Sequence, residues 1–517
     1  MVWLTQCYNY CLFINSVCLS YPRKRVSRAY RKNWIPVSTG MTKQNDYGVY
    51  GQILIIGKIP VLMKRTSPHI LLVNPWITDF AAYNFWIKPL GLLSMASLLR
   101  GYGYRVTLID CLDGYAKRKK YGDGNFEKAR IEKPDPIKHV PRYYSQYGIS
   151  EGAFLKKLSS SETPDVIGFT SGMTYWYPGL FKSIRLTREF FKDASVLLGG
   201  IYATLCHEHA SKYSGADFVI QGAGDLEGLR LISQLTGAEV RWPSLSNRSC
   251  SEPRTPNSTL EPDLDLLPYP AFDLYSMLDY VCMATSRGCP LKCTYCASQF
   301  LTGAFVRRDP ARVVEEIDYW ATHHGVRNIA FYDDALLMEP REHIVPILKE
   351  VMRRGIRCHF HAPNGLHIRT MDEELAFLLY QAGFKTIRLG FETSYERTQV
   401  ETGNKVKNDD FLRAVRNLKT AGYSGDEIGV YIMVGLPGQM AEEAEESIAF
   451  VKEMGARPII VEYSPIPHTV LFEQAKQVSP FDLENEPLCH NNSILPCQWE
   501  GFTMADYRRL KESIRRR

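Results

Sequence analysis

Long apolar runs are missing from this chain of 517 residues. None of its apolar stretches approaches the ~20 residues a membrane-spanning helix needs, so no membrane span is expected. A disulfide framework is missing too. The 13 cysteines are odd in number and scattered from Cys7 to Cys497, unlike the even, dense pattern of a small secreted fold, and the expected compartment is the reducing cytoplasm. No GxGxxG follows the first strand-like run and no GxxxxGK[ST] occurs, which argues against a dinucleotide Rossmann site and a P-loop. A general excess of basic charge is also lacking. The formal charge is +6, but residues 1–62 hold eight Lys/Arg against Asp46 alone, which is +7, so the other 455 residues carry −1. The folded part therefore has no basic footprint for nucleic acid, and no nucleic-acid partner is expected.

Residues 1–62 place their apolar stretch (VWLTQCYNYCLFINSVCLSY) before the positive charge, the reverse of a secretory signal. Met63 then opens MKRTSPHILLVNPW, a short polar start leading straight into a buried-type strand. Residues 1–62 are expected to be an upstream extension without a folded role.

What is present is an ordinary globular composition, 45% apolar and 23% charged, at a length that suits about three domains. From residue 69, short apolar runs alternate with helical stretches, the pattern of βαβ units and a parallel sheet. HILLVNPW (69–76), YRVTLIDC (104–111), PDVIGFTSGMT (164–174), SVLLGGIYAT (195–204) and ADFVIQGAGD (216–225) read as strands with their following turns, and PLGLLSMASLLRGYG (89–103) reads as a helix. The fold class is α/β, with an open parallel-sheet domain over 63–245. Such sheets bind ligands outside the carboxyl ends of their strands, where this sequence puts Thr170, Ser171, Gly199, Gly200 and Gly222. These residues are candidate ligand contacts or simply tight turns. Residues 114–163, rich in Lys, Tyr and Asp, read as a surface excursion, and the Pro- and Ser-rich stretch 246–280 as a linker.

The second half opens on TSRGCPLKCTYCASQF, in which Cys289, Cys293 and Cys296 make a CxxxCxxC spacing. Zinc sites usually pair one CxxC with a second Cys or His pair, and no second pair lies nearby. Three cysteines suit an iron–sulfur cluster that keeps one iron free of protein ligands.

With Tyr295 as its aromatic, the motif resembles the signature of the radical S-adenosylmethionine (SAM) superfamily. VRNIAFYDDALL (326–337), IRCHFHAPNGLHIR (356–369), TIRLGFET (386–393) and IGVYIMVGLPGQ (428–439) resemble that family's second to fifth barrel strands. The PLGLL helix, LLGGIYAT and VIQGAGD before them, with the DLDLLPYPAFDLY stretch, resemble the B12-dependent class, which carries a cobalamin-binding domain ahead of the barrel. The likeness covers about 69–470 and departs from the cobalamin pattern in lacking DxHxxG.

The resemblance implies a Rossmann-like cobalamin-binding domain, a partial (β/α)6 radical SAM barrel over 281–470 and a C-terminal cover segment over 471–517. It implies that Cys289, Cys293 and Cys296 hold a 4Fe–4S cluster, that SAM binds the open iron, and that cobalamin binds without a protein histidine on cobalt. Tyr295 would sit beside adenine, Glu392 and Thr393 would contact the SAM ribose or amine, and Gly435 and Pro437 would shape the turn near adenine. Arg287 would offset charge at the cluster loop or be solvated. Asp333 and Asp334 are adjacent on a strand, so at most one points inward. His359, His361 and His367 would contact substrate or pack. The helical ending MADYRRLKESIRRR reads as a solvated helix.

The activity implied is reductive cleavage of SAM, most often in service of methyl transfer to an unactivated carbon of a small-molecule or natural-product substrate, with an external one-electron reductant. Rearrangement or ring formation, a non-catalytic cobalamin or redox sensor, and a tRNA methylthiotransferase are the alternatives. The last is disfavoured because Cys111, Cys206 and Cys250 are scattered and fewer than fifty residues follow the barrel.

Overall fold

The computed structural model describes residues 53–55, 67–238 and 263–514. Most of the 1–62 extension, the Met63 start, Cys7, Cys11, Cys18, Cys250 and the linker before residue 263 lie outside the described residues.

The first sheet has six strands: β1 (Ile53–Ile55), β2 (His69–Asn74), β3 (Arg105–Asp110), β4 (Val166–Phe169), β5 (Ser195–Leu198) and β6 (Phe218–Ile220). Their order is β1-β6-β5-β4-β2-β3, parallel except for β1 against β6. Three residues of the 1–62 stretch thus join the sheet edge. β2 is buried along its whole length, as a strand covered on both faces must be. Ile70 and Leu72 pack under the helices Leu90–Gly101 and Asp225–Thr236, while Leu71 and Val73 pack on the other face with Phe154, Leu180 and Tyr202. The order reverses direction between β2 and β4, and this switch point is where such sheets take ligands.

The second sheet comprises β7 (Val281–Met283), β8 (Asn328–Phe331), β9 (His359–His361), β10 (Phe384–Glu392), β11 (Ile428–Val434) and β12 (Arg457–Glu462). All neighbours are parallel and follow chain order, and among the described residues β7 and β12 do not pair. The result is the partial six-stranded barrel read from the sequence. Its core extends into the first half of the chain: Trp86, Ile87, Leu90 and Leu93 belong to the barrel cluster. Tyr280 donates to the Ile87 carbonyl (3.0 Å) and Tyr332 to the Phe85 carbonyl (2.6 Å).

Two sequence readings are corrected by packing. The stretch 114–163 is more than a surface excursion. Its strands Lys128–Ile131 and Tyr144–Tyr147 form an antiparallel sheet with Ile77–Asp79, and Tyr144–Tyr147 is buried. Tyr, Ile and Phe there supply an apolar face that composition alone hides beneath the lysines. The ending is not wholly solvated either. In the helix Met504–Ser513, Leu510 and Lys511 are buried, and Lys511 pairs with Glu462 at the end of β12 (2.7 Å). Among the described residues, no helix is long and apolar enough to cross a membrane.

The segment between β12 and that last helix reaches back to the first sheet. Asn491 and Trp176 both donate to buried Asp79 (2.9 and 2.8 Å), and His490 bonds Thr174 (2.9 Å) and the Leu483 carbonyl (2.7 Å). Burial holds the His490 imidazole down at about 4, so it is neutral in the fold, while the unfolded chain protonates near 6.5. Its stabilising contribution is present above pH 6.5 and is lost as pH falls toward 4, roughly 3 kcal/mol in all. Denaturant midpoints measured at pH 7 and pH 4.5 are expected to fall less in His490→Gln than in the unmodified chain.

Candidate functional site

The three cysteines follow β7 on a loop that leads into the short helix Ser298–Thr302. The loop is clamped from two sides: Thr294 N–H donates to the Thr402 carbonyl (3.2 Å), and Leu471 N–H donates to the Thr294 carbonyl (2.9 Å). Gly403 makes the close approach possible. At φ +109° it occupies a backbone region that favours glycine, and a Cβ there would lie 2.9 Å from the Lys292 carbonyl oxygen and 3.0 Å from Cys293 Cα. Gly403→Ala is expected to push the loop outward and lower bound iron after reconstitution to less than half, checked by iron analysis beside an unchanged circular-dichroism spectrum.

Cys289, Cys293, Tyr295 and Cys296 line one cleft of about 830 Å³. Its other walls come from the carboxyl ends of successive strands, where barrel chemistry sits: Asp334 after β8, His367 after β9, Glu392 on β10, Met433 on β11 and Glu462 on β12. Among the described residues no three His, Cys, Asp or Glu side chains converge on one ion-sized point. Three cysteines lining one cleft, with no second Cys or His pair in its lining, suit a cluster that keeps one iron free of protein ligands.

β8 ends at Phe331, so Asp333 and Asp334 stand in the turn after it and not on a strand as expected, yet they still part ways. Asp333 turns back, accepting hydrogen bonds from Thr285 N–H (2.9 Å), Thr285 Oγ1 (2.7 Å) and Ser286 Oγ (2.6 Å), and so ties β8 to the residues just before the cysteine loop. Asp334 faces the cleft. It accepts from Ser298 Oγ (2.7 Å), and burial pushes its carboxyl up to about 6.

Glu392 ends β10 at φ +71°, a conformation uncommon for a residue with a side chain and frequent at ligand sites. Its Oε1 meets Lys405 Nζ at 2.6 Å, and its buried Oε2 has no partner. Burial opposes the charge on Lys405. The carboxylate of Glu392 and the thiols of Cys293 and Cys296 offset it and hold the ammonium above its ordinary range. Lys405 also lies 5.9 Å from the centre of the Tyr295 ring. Sequence reasoning missed Lys405, because a lysine in a turn thirteen residues past Glu392 carries no pattern.

Other predicted residues stand elsewhere. Thr393 bonds Ser447 (3.2 Å) and does not line the cleft. Gly435 and Pro437 form the turn after β11, fixed by Gly435 N–H donating to Gln439 (2.8 Å), also outside the lining. Arg287 is not solvated: it pairs with buried Asp225 (3.1 Å) at the head of helix Asp225–Thr236. His361 stacks on Trp86 (4.0 Å, 13°) and bonds Thr386 (2.9 Å), and His359 stands edge-on to Tyr121 at 5.1 Å. Both pack; of the three histidines, only His367 reaches the cleft.

A second cleft of about 750 Å³ opens at the switch point of the first sheet, lined by Asn74, Lys88, Thr170, Ser171, Gly200, Tyr202 and neighbours, with no histidine among its lining residues. Gly200 sits at φ +98°, where a Cβ would collide with the Ser171 carbonyl, so a flat wall is kept there by glycine. Ser171 Oγ donates to the Gly199 carbonyl (2.7 Å), and Gly222 N–H donates to Thr204 (3.1 Å). Gly199 and Gly222 therefore shape turns behind the cleft. Lys88, absent from the predicted set, is buried with its ammonium 3.5 Å from the centre of the Tyr275 ring, and burial lowers its pKa against the pull of Asp110 and Asp113.

The two clefts share a wall. Ile201 lines one and Ile466 the other, and both belong to a cluster with Leu205, Ala297 and Leu301. His468 stacks on Phe300 (4.0 Å, 7°) and bonds the Leu205 carbonyl (3.0 Å) across the same seam. Of the remaining scattered cysteines, Cys111 is buried in the first core and Cys206 packs against it.

The profile of the radical SAM superfamily matches residues 283–451. An uncharacterised methyltransferase of Pyrococcus horikoshii is 25% identical over 370 residues, covering 68% of this chain and 75% of that one. The cytidylyl-2-hydroxyethylphosphonate methyltransferase of Streptomyces wedmorensis is 22% identical over 495 residues, covering 86% and 89%. Among solved structures, the radical SAM methyltransferase TsrM from Kitasatospora setae, with cobalamin and a [4Fe-4S] cluster bound, shares the fold at a TM-score of 0.57 and 17% identity, covering 80% of this chain and 76% of that one.

Proposed function

We propose, for a chain that is a radical SAM enzyme with the fold of the cobalamin-dependent members, that it transfers a methyl group to an unactivated carbon of a small-molecule substrate. The observation that carries this reading is the shared wall: a three-thiol cleft at the barrel mouth lies against a switch-point cleft built around a glycine. Cys289, Cys293 and Cys296 would hold a 4Fe–4S cluster. The free Oε2 of Glu392 and the carboxyl of Asp334 would receive the SAM ammonium, with Tyr295 beside the adenine. Thr170, Ser171 and Gly200 would face cobalamin.

The chemistry the bound cofactors supply is reductive cleavage of SAM to a 5′-deoxyadenosyl radical and delivery of a methyl group from cobalt. The chain's own part is positioning and exclusion of water. Asp333 locks the cysteine approach to β8, Gly403 and Leu471 fix the loop, and the Ile201–Ile466 cluster keeps the seam dry. An external one-electron reductant would supply the electron.

Anaerobic reconstitution followed by dithionite and SAM tests the reading. Iron–sulfur and corrinoid absorbance together, 5′-deoxyadenosine, S-adenosylhomocysteine and a methylated product are expected. Formation of 5′-deoxyadenosine without S-adenosylhomocysteine, in the presence of a turning-over substrate, would reject methyl transfer.

A further inference from the structure

We infer that Lys405 sets the reduction potential of the cluster held on the three-cysteine loop, as the fixed positive charge that makes the cluster easier to reduce. The inference rests on the reading of that cleft as a cluster site and adds a residue outside the CxxxCxxC motif.

The cleft is poor in positive charge. Asp334, Glu392 and Glu462 line it, and among the described residues Lys405 is the one Lys or Arg in its lining. Each thiolate ligand adds a negative charge, and the electron that reduces a cluster adds another. Carboxylates nearby oppose that electron and a cation favours it. Net charge, hydrogen bonds to sulfur and solvent exposure are the means by which a protein tunes a cluster's potential. Ser298 N–H donates to Cys296 Sγ (3.4 Å); the charge comes from Lys405.

The fold puts this lysine against the cysteine loop itself. Lys405 belongs to the turn that follows the helix Glu396–Glu401. That turn touches the loop through the Thr402 carbonyl, which accepts from Thr294 N–H, and through Gly403, packed against Cys293. Its other side is tied down by Arg369, which donates to the Asn404 carbonyl. From there the Lys405 side chain enters the cleft, 12% exposed. Its Nζ lies 5.9 Å from the ring centre of Tyr295, the residue between Thr294 and Cys296. Its charge acts on the thiols of Cys289, Cys293 and Cys296 alike. The ion pair with Glu392 (2.6 Å) holds the ammonium charged and in place, and cancels part of its field. What remains acts through a buried, weakly screening medium, where a unit charge counts for more than in water.

The test is an EPR-monitored redox titration of the reconstituted protein without SAM, so that SAM affinity does not enter the readout. Iron content is measured beside it. At the potential where the wild-type cluster is half reduced, Lys405→Met is expected to show a reduced-to-oxidised ratio about 10-fold lower, a fall of ~59 mV for one electron. Lys405→Arg, which keeps the charge, should stay near the wild-type midpoint. Where Lys405→Met takes up too little iron, Glu392→Gln/Lys405→Met is compared with Glu392→Gln, two proteins that differ only at the lysine, and a fall in the same direction is expected. A midpoint unmoved by loss of the lysine, in protein with full iron, overturns this inference and leaves the cluster reading standing. An arginine variant that falls as far as the methionine variant also overturns it, since packing and not charge would then set the potential. A wild-type protein that takes up no cluster overturns the reading of the cleft and this inference with it.

Discussion

Cys293→Ala protein, reconstituted anaerobically, is expected to lose the iron–sulfur absorbance and to form no 5′-deoxyadenosine above background, with its circular-dichroism spectrum unchanged. Cys293 is half-buried at the rim of the cleft and packs beside Tyr295 and Cys296, so a methyl group in its place leaves no large cavity. Loss of one of three thiolates leaves a cluster with two open irons, which neither holds nor presents a single site for SAM. Cys289→Ala and Cys296→Ala should behave alike. Cys489→Ala and Cys497→Ala, which are buried in the same apolar cluster but do not line the cleft, should keep both iron and activity. Equal iron in all five variants would remove the cluster assignment.

Lys405→Met is the second large effect. It leaves the Glu392 carboxylate, 4% exposed, without its counter-charge in a buried cleft. Breaking one side of such a pair costs about 3–5 kcal/mol, and the denaturant midpoint should fall accordingly. Removing both charges, in Glu392→Gln/Lys405→Met, should restore most of that stability, since the penalty belongs to the stranded charge. SAM binding should be lost in the double variant even so, because the carboxylate of Glu392, which lines the cleft and has one oxygen without a partner in the chain, has gone. A double variant that binds SAM as tightly as wild type would assign Glu392 a purely structural role. Equilibrium unfolding and SAM titration measure the two halves of this prediction separately.

Much of this arrangement was legible because it is periodic. The buried strand runs, the helix phases between them and the three-cysteine spacing each carry a repeat that physics ties to a shape, and they gave both sheets and the loop on which the three cysteines meet one cleft. Gly200 and the Thr170–Ser171 pair were findable because a switch-point sheet takes ligands at strand ends. The rest rests on contacts between distant residues, which no local window contains. Asp333 and Asp334 are neighbours whose roles are decided by Thr285 and Ser298, on other turns of the chain. Thr393 looked like a cleft residue from its place after Glu392, but the left-handed backbone at Glu392 turns the next side chain toward Ser447. The basic last helix read as solvated because its one buried lysine answers an acid 49 positions earlier, Glu462.

Trp86 has a consequence for how the molecule can be taken apart. It sits at φ +63° with its ring on His361 and its indole N–H donating to the Tyr121 carbonyl (2.8 Å), 3% exposed. With Ile87, Leu90 and Leu93 it supplies a wall of the barrel from the sequence that precedes the linker. A fragment cut at residue 263 would present that wall's absence as a wet apolar face, prone to self-association. Grafting the barrel onto another first domain would demand a matching aromatic plug as well as a matching cofactor pocket. The exchangeable module here is the pair, and homologous recombination between relatives should tolerate crossovers within either sheet's surface helices better than at the linker itself.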